Sequence, residues 1–348
     1  MLRAGSGIGL GMGLIMGLAL VGLVIPLTAG SPGASSSRGL LLVANKGEHT
    51  LGIVDPVAGK QIAVVPESGV TGHEVIASPD GRTAYVPIYG DSGVGQPGTD
   101  GAALDVIDLA SQKRVATVDF GKPERPHCPK FGPDGMLYVT TELSNDITVI
   151  DPKTNQIVAR IPTGQPESHM LAITHDGRRG YTANVGPGTV SVLDMKARQP
   201  IAVIPISGQT QRIAVSPDGS MAFTSDQTKP QLAVIHTGDA KVSWVPMPGI
   251  GYGTAPTPDG RWLVVALIRI NQVGVVDLRS MQVVRTLDVP KAPQEVLVQP
   301  DSKVAYVSCD ASHKVAVISL AGPPAGWKVE KLIDVGRGAD GLAWAAAQ

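Results

Sequence analysis

Short apolar runs of four to seven residues, separated by turn formers, fill almost the whole chain after its first thirty residues. The unit at 211–249 shows the pattern. Its runs are 212–215, 221–225, Gln231–His236 and 241–247, with the turn Ser216-Pro217-Asp218-Gly219 between the first two. Runs this short, rich in β-branched residues and bounded by Gly, Pro and Asp, predict strands rather than helices. Many are apolar at nearly every position, as in Val203-Ile204 and Val264-Val265-Ala266. That predicts sheets covered on both faces.

The turn recurs as SPDG at 78–81, GPDG at 132–135, THDG at 174–177, SPDG at 216–219, TPDG at 257–260 and QPDS at 299–302. From Asp80 through Asp134, Asp176, Asp218 and Asp259 to Asp301 the steps are 54, 42, 42, 41 and 42 residues. Four strands in a period of about forty residues is the spacing of a β-propeller blade. After Asp301 the next unit has room for only its first strand, at 341–344, whereas the N-terminal copy begins with a second strand at 41–45, followed by 51–55 and 61–65. Joining the two ends completes a seventh blade and leaves no open sheet edge. The expected fold is therefore all-β: a seven-bladed propeller over 39–348, four antiparallel strands per blade, closed by the C-terminal strand.

The first thirty residues differ. Arg3, an apolar stretch from Ile8 to Leu27, and then Thr28, Ala29 and Gly30 make an export signal with cleavage after Gly30. Residues 31–38 read as a flexible leader, and the location as periplasmic or secreted. The apolar stretch is also long enough for an uncleaved anchor; cleaved, it leaves no membrane span. A formal charge of −1 with interspersed signs gives no basic stripe, and 4% aromatic residues give no base-stacking platform, so no nucleic-acid partner is expected. The two cysteines, Cys128 and Cys309, fall on separated blades and are expected as free or functional thiols rather than a disulfide. Trp244, Trp262, Trp327 and Trp344 are expected to pack between blades.

The segments AYVPIYG (84–90), LYVTTELSN (137–145), AYVSCD (305–310) and LLVANKG (41–47), with ITVIDPKTNQIVARIPTG (147–164), resemble the YVTN-type β-propeller repeat. The resemblance covers essentially all of 39–348. It implies an extracytoplasmic seven-bladed propeller and no single activity, because fold does not set function.

Positions that break the repeat carry the functional information. Aligned on the turn, one column at the mouth of the central channel reads His73, His127, His169, Gln211, Tyr252, Gln294 and Asp340. The next reads Glu74, Cys128, Met170, Arg212, Gly253, Glu295 and Gly341. His49 and His313 stand where other copies carry Asn145 and Asn271, so five of the seven histidines are expected on one rim. His73, His127 and His169, with Cys128, are candidate ligands for Zn or Cu, provided the imidazoles converge. The same histidines also fit a role in hydrogen bonds between blades. A Gly-rich insertion at 89–102 lengthens the first interval beside His73 and fits a lid or clamp, or a solvated insertion. Asp91 and Asp100 lack calcium-loop spacing.

The stretch 126–145 also resembles one blade of the lactonase-type propellers, with Thr141 in place of their Asn before Glu142. That resemblance implies Glu142 and His127 as an acid–base pair; Arg212, Arg269 and Arg337 are candidates to hold an anionic substrate provided they face the same mouth. Glu74, Tyr89, Tyr252, Glu295 and Asp340 complete the candidate ligand-binding set. The expected function is a binding module that holds a small ligand, a metal ion or a protein partner at the His-bearing mouth. The alternatives are a lactonase-like or metal-dependent enzyme at the same site, and a purely structural surface propeller.

Overall fold

The computed structural model describes residues 38–347. The expected export signal (1–30) and all of the leader except Arg38 lie outside the described residues. Within them the chain forms seven four-stranded antiparallel sheets, each strand paired with its neighbour in sequence. The exception is the expected closure: Ala339–Ala346 is the innermost strand of the blade that continues with Gly39–Asn45, Thr50–Asp55 and Lys60–Pro66. Leu41 pairs with Trp344, Leu42 with Ala343 and Val43 with Leu342. Counting from the first PDG turn, blades one to six follow in chain order and this closing blade is the seventh. The inner strands of successive blades pack side by side around a central channel. Among the described residues no helix is long and apolar enough to cross a membrane.

Blade four matches its sequence pattern closely, with strands Thr210–Val215, Met221–Asp226, Gln231–His236 and Val242–Pro246. One expectation needs correcting. The inner three strands are covered on both faces, but the outermost strand is not. Val158 is 51% exposed and Val203 41% exposed on the solvent side of their strands. Nothing packs beyond the ring's perimeter, so alternate residues there face water. Trp244 lies on such a strand and is 39% exposed. Trp262 and Trp327, in contrast, pack edge to face at 6.1 Å, and Trp344 stacks on Tyr306 at 6.0 Å. Both cysteines are free and buried, as expected.

The repeated turn has a local chemistry. Ser216 Oγ donates to Asp218 Oδ1 at 2.6 Å, the Ser220 amide donates to the same oxygen at 3.0 Å, and the Gly219 amide donates to Ser216 O at 2.8 Å. The Ser/Thr-Pro-Asp part thus closes the turn, and Gly ends it because its φ is positive, 71° at Gly219. Gly81 has a second duty: a Cβ there would lie 2.0 Å from Ala346 O, on the closing strand.

Above the turns, the inner strands are irregular at one shared place. Pairing with the second strand slips between Pro126 and Pro129, Ser168 and Met170, Thr210 and Ile213, Gly251 and Thr254, and Pro293 and Val296. Each slip is a bulge, which re-aims side chains out of the sheet. The side chains re-aimed here are those of the two mouth columns. Hydroxyls of the second strands fill the broken ladder: Thr140 Oγ1 accepts from the Cys128 amide at 2.9 Å, and Ser308 Oγ accepts from the Glu295 amide at 3.0 Å.

The two glycines Gly81 and Gly135 separate backbone conformation from ring closure. Both have positive φ, 67° and 79°, but a Cβ at Gly135 meets nothing within 4 Å. Gly135→Ala is expected to cost about 1–2 kcal/mol from backbone alone. Gly81→Ala should cost clearly more, read from denaturant midpoints, because it also pushes on the closing strand; equal costs would show that this contact contributes nothing to closure.

Candidate functional site

The mouth columns enclose a cavity of about 140 Å³, lined by His73, His127 and His169 from blades one to three, Gln211 and Arg212 from blade four, Tyr252 from blade five and Asp340 from blade seven. Lys46 and Tyr89 add to the wall, and Ser92, Gly93 and Val94 of the insertion roof it. Tyr89 stands among the three histidines, with ring centroids 4.7 Å from His73, 5.1 Å from His127 and 5.6 Å from His169. His127 and His169 stack at 3.5 Å with an interplanar angle of 28°.

Burial sets the state of these rings. It lowers His73 to about 4, with Asp340 only partly opposing it. Burial also carries His127 well below its usual value and lowers His169 despite the Glu142 carboxylate nearby. All three are neutral at pH 7, each offering a lone pair and an N–H. The Nδ1 atoms of His127 and His169 are buried without a hydrogen-bond partner, the side chains being 2% and 3% exposed. His169 Nδ1 lies 3.5 Å from Glu142 Oε2, too long for a good hydrogen bond. The floor is charged and paired. Arg212 Nη1 lies 2.7 Å from Glu74 Oε1, Nη2 lies 2.7 Å from Asp340 Oδ1, and Glu295 also contacts Nη1. Lys46 bridges Asp310 at 2.8 Å and Asp340 at 3.1 Å. The Arg212 guanidinium also lies over the Tyr252 ring, 5.3 Å from its centroid.

Three carboxylates around one guanidinium do not all ionise equally. Burial would raise Asp340, but Lys46 and Arg212 outweigh it and hold it at about 2. Glu74 goes the other way: burial, with Glu295 and Asp340 adding repulsion, raises it to about 8 against the pull of Arg212.

The insertion is latched rather than loose. The flanking strands Thr83–Gly90 and Asp100–Asp108 absorb part of the expected 89–102 loop, leaving 91–99 as the connection. Arg125, 4% exposed, reaches across it: Nη2 donates to Gln96 O at 2.6 Å, Nε pairs with Asp100 at 2.6 Å and Nη1 with Glu142 at 3.1 Å. Glu142 also accepts from the Gly95 amide at 3.2 Å and from the Tyr89 hydroxyl. Burial would raise the Glu142 carboxyl, yet these bonds and nearby His169 together lower it to about 2. Glu142 is thus an ionised latch at neutral pH, with no proton to give as a general acid.

The structure therefore sorts the sequence candidates. It gathers His73, His127, His169, Tyr89, Arg212, Tyr252 and Asp340 around one cavity and puts Glu74 and Glu295 on its floor. Cys128 leaves the group: its Sγ lies 3.6 Å from Leu171 O and burial pushes the thiol up to about 11. Arg269 is exposed at a strand connection, and Arg337 is exposed beside Glu48 at 3.5 Å, so neither holds a ligand with Arg212. His49 and His313 are exposed, with φ of 58° and 54°. Asn145 and Asn271 share that conformation, at 55° and 56°, so the shared position reflects turn geometry rather than a ligand set. Among the described residues no three His, Cys, Asp or Glu side chains are arranged to hold a metal ion; the imidazoles of His127 and His169 stack instead of converging as Zn or Cu requires. Lys46 and Arg125 were missed, because single basic residues in loops carry no spacing signal.

Two outcomes follow. The raised Glu74 carboxyl contributes stability in full below the ordinary value of 4.5, and loses it as pH rises through about 8. Relative to Glu74→Gln, the wild type should therefore melt progressively lower between pH 5 and pH 9; parallel melting curves would contradict the assignment. Arg125→Ala should expose 91–99 to protease, with cleavage faster by roughly tenfold or more, since charge-assisted hydrogen bonds hold it; unchanged cleavage would show that the latch is not what closes the roof.

No family model matches the chain. A curated relative, the seven-bladed beta-propeller protein Rv1057 of Mycobacterium tuberculosis, is 27% identical over 175 residues, which is 49% of this chain and 39% of the relative. The match thus spans well under two thirds of that protein. A solved chain of the Kuenenia stuttgartiensis hydrazine synthase superposes with a TM-score of 0.70 at 21% identity, covering 81% of this chain and 93% of that one. At that identity the likeness concerns the fold. Blade count, closure and both comparisons agree that this chain is a seven-bladed β-propeller.

Proposed function

We propose that the chain is an exported binding module that holds one small, uncharged, polar ligand in the cavity beneath the insertion. The observation that carries this reading is the pair of buried, unpartnered Nδ1 atoms on His127 and His169. A buried polar group without a partner costs about 1–3 kcal/mol, so a guest that partnered both would be stabilising. The ligand class follows from charge. Arg212 and Lys46 are already matched by carboxylates, and the three imidazoles are held neutral. A charged guest would find no unpaired partner and would lose its hydration. A guest with one N–H or O–H and one carbonyl or hydroxyl oxygen would satisfy both rings. Export rests on the N-terminal sequence pattern alone.

The lactonase-like alternative draws less support, because Glu142 is occupied by the latch. A metal-dependent enzyme would need the imidazoles to converge on one ion.

His127→Phe separates a binding role from a structural one. It keeps ring and volume while removing the unpartnered nitrogen, so the melting temperature is expected to stay level or rise. Acetamide, which shifts the His127 and His169 imidazole nitrogen resonances in the wild type, should no longer bind. A destabilisation of about 1–3 kcal/mol would mean that His127 makes a structural hydrogen bond. Resonances unmoved by acetamide, urea or ethylene glycol would count against the ligand class.

A further inference from the structure

A second chamber lies on the other side of Arg212. It has a volume of about 290 Å³, and its walls are the lower halves of the inner strands of blades three to six, with Lys130 from blade two. Most of the residues that line it are apolar by type, among them Met170, Ile213 and Val296, which are 3%, 7% and 2% exposed. Three features break that apolar surface. Arg212 and Glu295, paired with each other, form its upper end. Lys130 enters from the side, and its ammonium makes no ion pair or hydrogen bond among the described residues, unlike the charged groups of Lys46 and Arg212 in the same channel. Thr254, 8% exposed, has a buried hydroxyl oxygen with no partner.

A cation in an apolar channel without a counter-ion is costly unless something else supplies the charge. The ammonium stays charged: burial pulls it down, but nearby charge, Glu295 included, outweighs burial and raises it. Glu295 is close enough to be felt, so a dianion would be repelled. The walls ask for hydrocarbon, and the one free hydroxyl asks for a hydrogen-bonding head. We propose that this lower chamber binds a small aliphatic monocarboxylate, its head paired with Lys130 and hydrogen-bonded by Thr254, and its chain against the Met170, Ile213 and Val296 wall. The site is separate from the histidine cavity and does not depend on what that cavity holds, because the paired Arg212 stands between them.

Calorimetric titration of the purified chain with hexanoate, hexanol and hexylamine tests it. One hexanoate per chain is expected, bound at least tenfold more tightly than hexanol, with hexylamine not binding. Lys130→Met keeps the volume and removes only the charge; it should weaken hexanoate by roughly tenfold or more and leave hexanol unchanged. Thr254→Val should weaken hexanoate by a smaller factor, and His127→Phe should not alter it. Because wild-type discrimination between hexanoate and hexanol needs no variant, the test survives a poorly folding Lys130→Met. Equal binding of hexanoate and hexanol, no hexanoate binding at millimolar concentration, or full hexanoate affinity in Lys130→Met would each overturn the proposal.

Discussion

The buried guanidinium of Arg212 is the constraint around which the channel is organised. In a propeller every sheet pairs only within itself, so apart from isolated backbone bonds such as that from the Gly341 amide to His73 O, the ring's axis is held by side chains. Arg212 reaches from blade four to Glu74 beside blade one, Glu295 on blade six and Asp340 on blade seven. Lys46 extends the chain to Asp310 through Asp340. Removing one partner from such a network leaves a buried charge uncompensated, at a cost of about 3–5 kcal/mol. The raised Glu74 carboxyl shows the limit of the arrangement, since one cation does not hold three buried carboxylates fully ionised. The same network divides the channel into two chambers of different chemistry, the upper polar and aromatic, the lower lined mainly by apolar residue types with one unpaired ammonium.

What brings these side chains to the axis is backbone irregularity at a fixed level of the ring. The inner strands bulge just below the mouth, and second-strand hydroxyls occupy the broken ladder positions. Regular β-structure would send alternate residues into the interfaces between blades. The bulges aim Arg212, Tyr252 and Glu295 into the channel instead. The insertion then closes the upper chamber, held by Arg125 and Glu142, so a residue type that suggests acid–base chemistry serves here to fasten a roof.

The turn's chemistry is local, and this is why the architecture was legible in the sequence. Asp at a fixed spacing, with Ser or Thr before it in four copies and Gly after it in five of six, folds the same kind of turn, and its period counts the blades. Closure was legible because 341–344 and 41–45 complement one another. The site was legible in part: aligning copies on the turn put Glu74, Arg212 and Glu295 in one column, and the ring makes a column a circle around the axis. Ring orientation was not legible. Whether His127 and His169 converge or stack depends on how their rings pack around Tyr89, which lies in another blade. His49 and His313 misled for a related reason, since a left-handed turn position selects residues by backbone conformation as well as by chemistry. Lys130 was missed as well, because a single charge in an inner strand gains its meaning only from the chamber wall.

The central claim is that the upper cavity exists to hold a guest. Difference density at atomic resolution, from crystals of the chain purified from the cells that make it, tests that most directly. The account predicts a bound small molecule other than water within hydrogen-bond distance of Nδ1 of both His127 and His169, with Arg212 still paired to its carboxylates. If both nitrogens are instead hydrogen-bonded to protein groups, with no space left between the rings and the insertion, the account is wrong.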